Sequence, residues 1–597
     1  MLSRVAYIIS LCVILFVSLV FHPTWNKRGH SSTISWDVLG YYWYLPSSFI
    51  YNDLKEQKFA DSVLTEYGYP KEHIPSYKYK ETASRVNKYS SGMAVLYSPF
   101  FFIAHILSSP LGYPSDGFSI PYQLSILLGS LLVAFIGLWY YRKFLLTFFS
   151  DRVVAIMILL LVIGSNYLTY TALNGAYTHN WLFTIYVFLL ITTQKFYAKP
   201  KLKYAVAIGG LIGIAILVRP TEFIAVLIPL LWGIEKLSAK YYKSRLDFLL
   251  ANKKAILMVA IVAVVVASVQ VCYWLYTTGV PFVYSYQDQG FSWLSPHVYN
   301  YMLSARSGWV TYTPLVFFFF IGIISFVKHG KHRVMVLLFF ACSLYITSAW
   351  DIWWYAGTGG RAMLQYYPII MLPLAFFIER MLQSRVMMWV CSPFLLLFTY
   401  LNIWFTYAAH ASDGLYDSNG MTRAYYWHVV GRFSVPDHVQ RFKDTDEYYD
   451  GKPKNMKLLF ANDFEQDSTE SNSHIIHGNV SMYIDKDREW GQKFLIPFSN
   501  NTHADWVRAE VSIKPLYEEW EAWRMILYIV TFRKDGAAVK IRNIRLNKYS
   551  APHTVSDVYF DVKIPDAEFD SIELSFHNPY KYGEMILDDI KLSSFEE

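Results

Sequence analysis

Hydrophobic residues in this chain come in long unbroken runs separated by short polar turns. Runs near 5–22, 119–141, 152–173, 255–278, 309–327 and 386–407 are each long enough, as helices, to cross a hydrocarbon layer of ~30 Å. The first run follows Met-Leu-Ser-Arg and lacks a small-residue cleavage site, so it reads as a retained anchor. From residue 456 the pattern changes to short alternating runs such as "WVRAEVSIKP", "MILYIVTF", "VYFDVKI" and "SIELSFH". Alternation with period two, broken by polar turns, predicts an antiparallel β-sandwich. The expected fold is therefore an α-helical polytopic membrane protein with a C-terminal all-β domain. Residues 1–410 form the membrane part, 411–455 a polar, Tyr-rich connector, and 456–597 the sandwich.

Charge orients the helices. "YYRKF" (140–144), "KFYAKPKLK" (195–203), "KLSAKYYKSR" (236–245) with "NKK" (252–254), "KHGKHR" (328–333) and "ERMLQSR" (379–385) are short and basic, the signature of cytoplasmic loops. The turns between them are poor in Lys and Arg: "LNGAYTHN" (173–180), "RPTE" (219–222), residues 280–309, and "WDIWWYAGTGGR" (350–361). Residues 91–109 carry Pro99 and His105, and counting them as a crossing would invert every later loop. They are expected as an in-plane or re-entrant helix. That leaves about eleven spans, a cytoplasmic N-terminus, an extracytoplasmic tail and a long external segment over 23–118.

Composition sharpens the division. Of 597 residues, 54% are hydrophobic and 17% charged, and the net charge is +7. Residues 441–597 hold 20 Lys and Arg against 28 Asp and Glu, a net −8, which leaves +15 for the first 440. Basic excess in membrane loops reflects cytoplasmic retention, so nucleic acid is not an expected partner. The 4 cysteines all fall in apolar runs, which implies neither a disulfide framework nor a Cys-based zinc site.

Ionisable groups beside lipid are costly and tend to be functional or paired. Topology alone collects Asp37, Lys88, His179, Arg219, Glu222, Asp288, His297, Arg306, Asp351 and Arg361 on the outer side. Asp37, in "ISWDVLGYYWYLP", has two compatible readings. It favours a helix dipole in a first turn capped by Ser35, with the aromatics as a membrane belt, or it is a carboxylate positioned to take a proton from a hydroxyl. Lys88 either snorkels or meets an anion. Arg361 ends "GTGGR", where a guanidinium beside backbone amides freed by glycines suits a phosphate. Arg219 either pairs with Glu222 or joins that site, and Arg306 in "SARSGWVTYTP" is alike. His179, Asp288, His297, Asp351, Trp353 and Trp354 are candidates for lining a substrate cavity. Asp444/Asp446 and Asp485/Asp487 spell D-x-D but lie outside any βαβ pattern, and read as solvated charges. No H-E-x-x-H, G-x-S-x-G or phosphate loop occurs.

The ordered set "SWDVLGYYWYLP", "NKYSSGMAVLYSPFF", "LVRPTE", "SARSGWVTYTPL" and "WDIWWYAGTGGRAMLQYYP" resembles the glycosyltransferase-C superfamily, in the branch of protein O-mannosyltransferases and aminoarabinose transferases. The resemblance runs over roughly residues 1–410. It implies transfer of a sugar from a polyprenyl-phosphate donor to a glycan, lipid or protein acceptor at the outer face of a bacterial cytoplasmic membrane. It also implies Asp37 as the catalytic acid of the first loop, with Lys88 and Arg361, joined by Arg219 or Arg306, at the donor phosphate. An acid opposite the leaving group implies inversion. The chain departs from the commoner paired acids, having Asp37-Val38 alone. "FANDFEQD" and "MILDDIKL" resemble carbohydrate-binding jelly rolls. No cofactor is implied and a divalent metal is not indicated, since hard cations recruit several oxygens. Three other readings stay open: an oligosaccharide ligase or polymerase, a glycolipid transporter or flippase, and an envelope scaffold.

Overall fold

The structure is a computed structural model. It describes all residues except 70–73, 288, 356, 411–414, 418–419, 437–438, 440–441, 446, 467–473, 499–503 and 518–524. Asp288 and Asp446 thus lie outside the described residues. The chain divides into two compact units, Met1–His410 and Ala411–Glu597.

The first unit is helical. Leu2–Phe21, Gly92–Leu111, Ile120–Leu145, Thr178–Ala198, Lys253–Thr278 and Arg385–Ala408 are each long and apolar enough to cross a membrane. Arg361–Ile370 and Leu372–Gln383 form an apolar pair bent by 58°, the geometry of a broken span or a re-entrant loop. The protein is an integral membrane protein, with six or seven such helices among the described residues. Other apolar runs are shorter or broken. The run at 152–173 ends its helix at Ile163, beside Gly164, and resumes as a π-turn over Thr169–Leu173. Leu202–Val218, Pro220–Leu231, Val316–His329 and Arg333–Ala349 are shorter apolar helices.

Residues 91–109 fold as a regular helix, Gly92–Ser108, prolonged by a 3₁₀ turn. It is itself long and apolar enough to cross a membrane. The N-terminal ammonium lies 2.6 Å from Asp151, and Arg142 Nε donates to Ser3 Oγ at 2.8 Å, so the start of Leu2–Phe21 lies beside the end of Ile120–Leu145.

A two-stranded hairpin, β1 (Ser76–Lys78) and β2 (Arg85–Asn87), precedes this helix. Among its described residues the second unit holds nine strands: β3 (Lys454–Asn462), β4 (Met482–Ile484), β5 (Phe494–Pro497), β6 (Trp506–Pro515), β7 (Leu527–Lys534), β8 (Ala537–Arg545), β9 (Ser556–Lys563), β10 (Ser571–His577) and β11 (Met585–Glu596). One sheet runs β5-β10-β7-β8 and the other β3-β11-β6-β9, with β4 also on β11. All pairings are antiparallel. Alternate residues of the two sheets share one apolar core, as where the Tyr528 ring on β7 meets Phe560 on β9 at 5.5 Å. The connector packs into the same unit: Arg545 Nε meets Asp444 at 2.5 Å and Arg542 Nε meets Glu447 at 2.9 Å. Asp485 accepts the backbone N–H groups of Asp487 and Arg488, both at 2.9 Å, and so shapes a turn.

Candidate active site

The short helix Asp37–Tyr42 starts after Trp36, whose φ of +50° and ψ of −127° are sparsely populated for a side-chain-bearing residue. Strain of this kind, of order 1–3 kcal/mol, persists where surrounding structure holds it, and here it sets the direction of Asp37. Ser35 does not cap the helix; its hydroxyl donates to the Ser32 carbonyl. The aromatics that follow are not a lipid belt either. Tyr41, Tyr42, Trp43 and Tyr44 are buried inside the unit. Their polar tips find protein partners: Tyr42 OH on the Gly117 carbonyl, Trp43 Nε1 on Gln57, Tyr44 OH on the Tyr89 carbonyl.

Both carboxylate oxygens of Asp37 are engaged. Oδ2 accepts from Arg361 Nη2 at 2.9 Å, across 324 residues of sequence, and Oδ1 accepts from Tyr89 OH at 2.8 Å. The side chains of Asp37 and Arg361 are 25% and 11% exposed, so solvent screens the pair only in part. Burial and the Asp37 charge hold the Tyr89 phenol well above its usual pKa, which keeps it a donor. Gly40 makes this contact feasible: a Cβ there would lie 2.1 Å from the Tyr89 ring.

Arg361 opens the 3₁₀ helix Arg361–Tyr366 directly after Gly359 and Gly360, each at φ +58°. That left-handed pair is accessible to glycine at little cost and turns the chain so that the guanidinium reaches back to Asp37. Three of the loop's amides already have protein partners. Gly357 N–H bonds the Trp354 carbonyl, Thr358 N–H the Tyr170 hydroxyl and Gly360 N–H the Ser307 carbonyl. The guanidinium itself has capacity to spare. Its Nε–H is buried with no acceptor among the described residues, and its carbon lies 5.1 Å from the Tyr177 ring centre.

Arg219 stands at the end of Leu202–Val218, where Pro220 forces the preceding residue out of helical conformation (φ −146°, ψ 120°). It does not pair with Glu222. That carboxylate, fully buried, instead accepts from Tyr186 OH and Gln365 Nε2, both at 2.6 Å, and from Tyr366 OH at 3.1 Å. Arg219 makes no ion pair among the described residues and lies 5.9 Å from the Tyr355 ring centre. The phenols of Tyr41 and Tyr286 both sense Asp37, Arg219 and Arg361; burial pushes Tyr286 up to about 12, with Arg219 opposing. Two arginines and one carboxylate thus surround the same tyrosines. Lys88 arrives from the hairpin side, its Nζ 5.4 Å from the centre of the Tyr286 ring, which in turn lies 6.2 Å from Tyr89.

The remaining candidates occupy the periphery. Arg306 stacks on Trp354 at 3.6 Å, and Trp353 packs edge-on against Trp354. Asp351 is a loop clasp, accepting from Gly290 N–H at 3.0 Å and Ser292 Oγ at 2.7 Å. His297 bonds the Ser348 carbonyl through its backbone N–H. His179 is buried, its Nδ1 2.8 Å from Gln365 Oε1, which links it to Glu222. Among the described residues no three His, Cys, Asp or Glu side chains gather as a metal-binding group.

No family model and no curated protein matches this chain. Among solved structures it is similar to the arabinosyltransferase EmbB from Mycobacterium smegmatis, at 9% identity and a TM-score of 0.34, over 99% of this chain and 64% of that one. The chain thus spans less than two thirds of that protein's length. A second likeness is to the CBM22-1 xylan-binding domain of Xyn10C from Paenibacillus barcinonensis, at 11% identity and a TM-score of 0.18, over 24% of this chain and 99% of that domain. Superpositions this loose carry no argument about chemistry.

The site has a gap between what Asp37 does now and what it is suited to do. Its carboxylate is locked between a guanidinium and a phenol, while Arg361 keeps a spare donor and Arg219 keeps its whole charge. An anion entering between the arginines would satisfy both and loosen the lock.

Proposed function

We propose that the protein is a membrane glycosyltransferase of the glycosyltransferase-C type. It moves a sugar from a polyprenyl-phosphate-linked donor to a hydroxyl acceptor on the extracytoplasmic face. The supporting observation is the meeting of Asp37 and Arg361, 324 residues apart in sequence, with Arg219 making no ion pair among the described residues. Arg361, Arg219 and Lys88 hold the donor phosphate, and Arg306 guards its approach through the Trp354 loop. As the phosphate takes over Arg361, Asp37 is left to Tyr89, which holds its outer oxygen in place. Asp37 takes the proton of the acceptor hydroxyl, whose oxygen bonds to the anomeric carbon from the face opposite the phosphate. The bond from that carbon to the phosphate oxygen breaks, and polyprenyl phosphate departs with the electron pair. The anomeric configuration inverts. The cations stabilise the charge that develops on the leaving oxygen, a contribution that grows in a site screened from water.

The test is transfer of labelled sugar from a polyprenyl-phosphate donor by purified protein in lipid nanodiscs. Asp37→Asn should abolish transfer with the fold intact, and turnover at the wild-type rate would reject Asp37 as the base. A ligase or polymerase would use the same constellation with a longer donor, so chain length of the product separates those readings. Translocation of donor without transfer would mark a flippase.

A further inference from the structure

Two segments lead towards Lys88 and Tyr286, and between them lies an open groove of about 370 Å³. One wall is the β1–β2 hairpin with Tyr77, Lys78, Tyr79, Lys80 and Glu81; the other is the segment with Phe282, Val283, Tyr284 and Gln287. The volume is within the range of small-ligand pockets, roughly 300–1,000 Å³. Both walls run straight into the reaction centre. β2 leads through Asn87 to Lys88 and Tyr89, and Asn87 Nδ2 donates to the Gly40 carbonyl at 2.8 Å. The other wall leads from Tyr284 to Tyr286, and Ser285 Oγ ties the walls together by donating to the Lys88 carbonyl at 2.7 Å.

We propose that this groove seats the acceptor, and that the acceptor is a carbohydrate chain rather than a lipid. The inference rests on the transferase reading and narrows its acceptor. The lining has the mixed character a sugar requires. Pyranose and furanose rings present C–H faces, which lie against aromatic rings, and hydroxyl edges, which need donors and acceptors. Tyr77, Tyr79, Phe282 and Tyr284 supply the first, and their phenols with Glu81 and Gln287 supply the second. A lipid alcohol would leave Glu81 and Gln287 facing hydrocarbon, at a desolvation cost with no return. Phe282 is 76% exposed, a large apolar ring held in the open beside hydrogen-bonding groups.

The experiment uses the full chain in nanodiscs and a panel of defined oligosaccharides built from pentoses, hexoses and N-acetylhexosamines. Ser/Thr-rich peptides and a long-chain alcohol serve as rival probes, and polyprenyl phosphate reads the donor site. Wild type should retain at least one oligosaccharide class. Phe282→Ser should weaken that retention, and the double variant Tyr79→Ser/Phe282→Ser should weaken it about tenfold or more. Polyprenyl phosphate binding should not change in either variant. The proposal is overturned if no oligosaccharide is retained, if peptide or alcohol is retained in its place, if retention survives the double variant, or if donor binding falls in parallel in both variants. Loss of polyprenyl phosphate binding by wild type, with oligosaccharide retained, would refute the transferase reading and leave the groove standing.

Discussion

Asp37→Asn should do two opposite things: end transfer and tighten the grip on the donor. In the unliganded site Arg361 is bonded to Asp37 at 2.9 Å, so an incoming phosphate must first displace that carboxylate. A hydrogen bond to a charged group contributes about 1.5–3 kcal/mol, roughly twice a neutral one, so replacing carboxylate by amide removes about 1–2 kcal/mol of competition. Because 1.4 kcal/mol is a factor of ten, polyprenyl phosphate should bind the variant about 5- to 30-fold more tightly. Relief of repulsion between Asp37 and the phosphate acts in the same direction. Asparagine keeps the shape and still accepts from Tyr89, so the fold should persist. The assay is equilibrium binding of fluorescent polyprenyl phosphate to nanodisc-held protein, with wild type and Arg361→Ala alongside. Binding to the variant that is unchanged or weaker, with wild-type thermal stability, would refute the view that Asp37 and phosphate compete for one arginine.

Three further outcomes follow from the same geometry. Arg219→Ala should leave Tm within a degree or two, because no ion pair is lost, yet weaken polyprenyl phosphate binding about tenfold or more, read in the same assay. Gly40→Ala should drive its Cβ into the Tyr89 ring, destabilise the unit by about 1–3 kcal/mol and lower turnover further than that loss explains, seen as a fall in kcat for the folded fraction. In the second unit, Lys443 is buried near Asp417, Asp444, Lys548 and Arg545; burial, aided by those cations, lowers its pKa to about 8. The unfolded chain binds this proton more tightly, so the group's contribution to stability rises as pH climbs from about 8 towards 10.5 and is least below 8. Lys443→Met should flatten that slope and raise stability at pH 7 by about 2 kcal/mol, measured as the pH dependence of unfolding of Ala411–Glu597 within the full chain.

Period-two alternation was readable in the sequence because burial on one face of a sheet leaves a strict mark. "WVRAEVSIKP" coincides with β6 and "SIELSFH" with β10. Hydropathy marked the membrane unit but not its breaks, since a kink at Gly164 or a bend after Ile370 changes no residue's polarity. Aromatic identity misled in the first loop. A tyrosine beside lipid and a tyrosine in a polar-lined core look alike in sequence, and only Gln57, Gly117 and the Tyr89 carbonyl, brought in by the chain up to 118, decide between them. Tyr89 itself stood next to a named lysine and carried no separate signal.

The arginines show why sidedness found more than spacing did. Grouping ionisable residues by side of the membrane put Asp37 and Arg361 together without any local cue, because the cost of burying charge forces widely separated residues to share one polar hollow. Spacing of three residues suggested that Arg219 and Glu222 neutralise each other, and there the local cue failed. Arg219 leaves helical conformation at the prolyl break, and Glu222 accepts from three neutral donors, Tyr186, Gln365 and Tyr366. Satisfying a buried acid without its nearest cation is what leaves that cation's charge available. If Glu222 did pair with Arg219, the site would hold one free donor set instead of two, and a phosphate would have to displace two carboxylates rather than one.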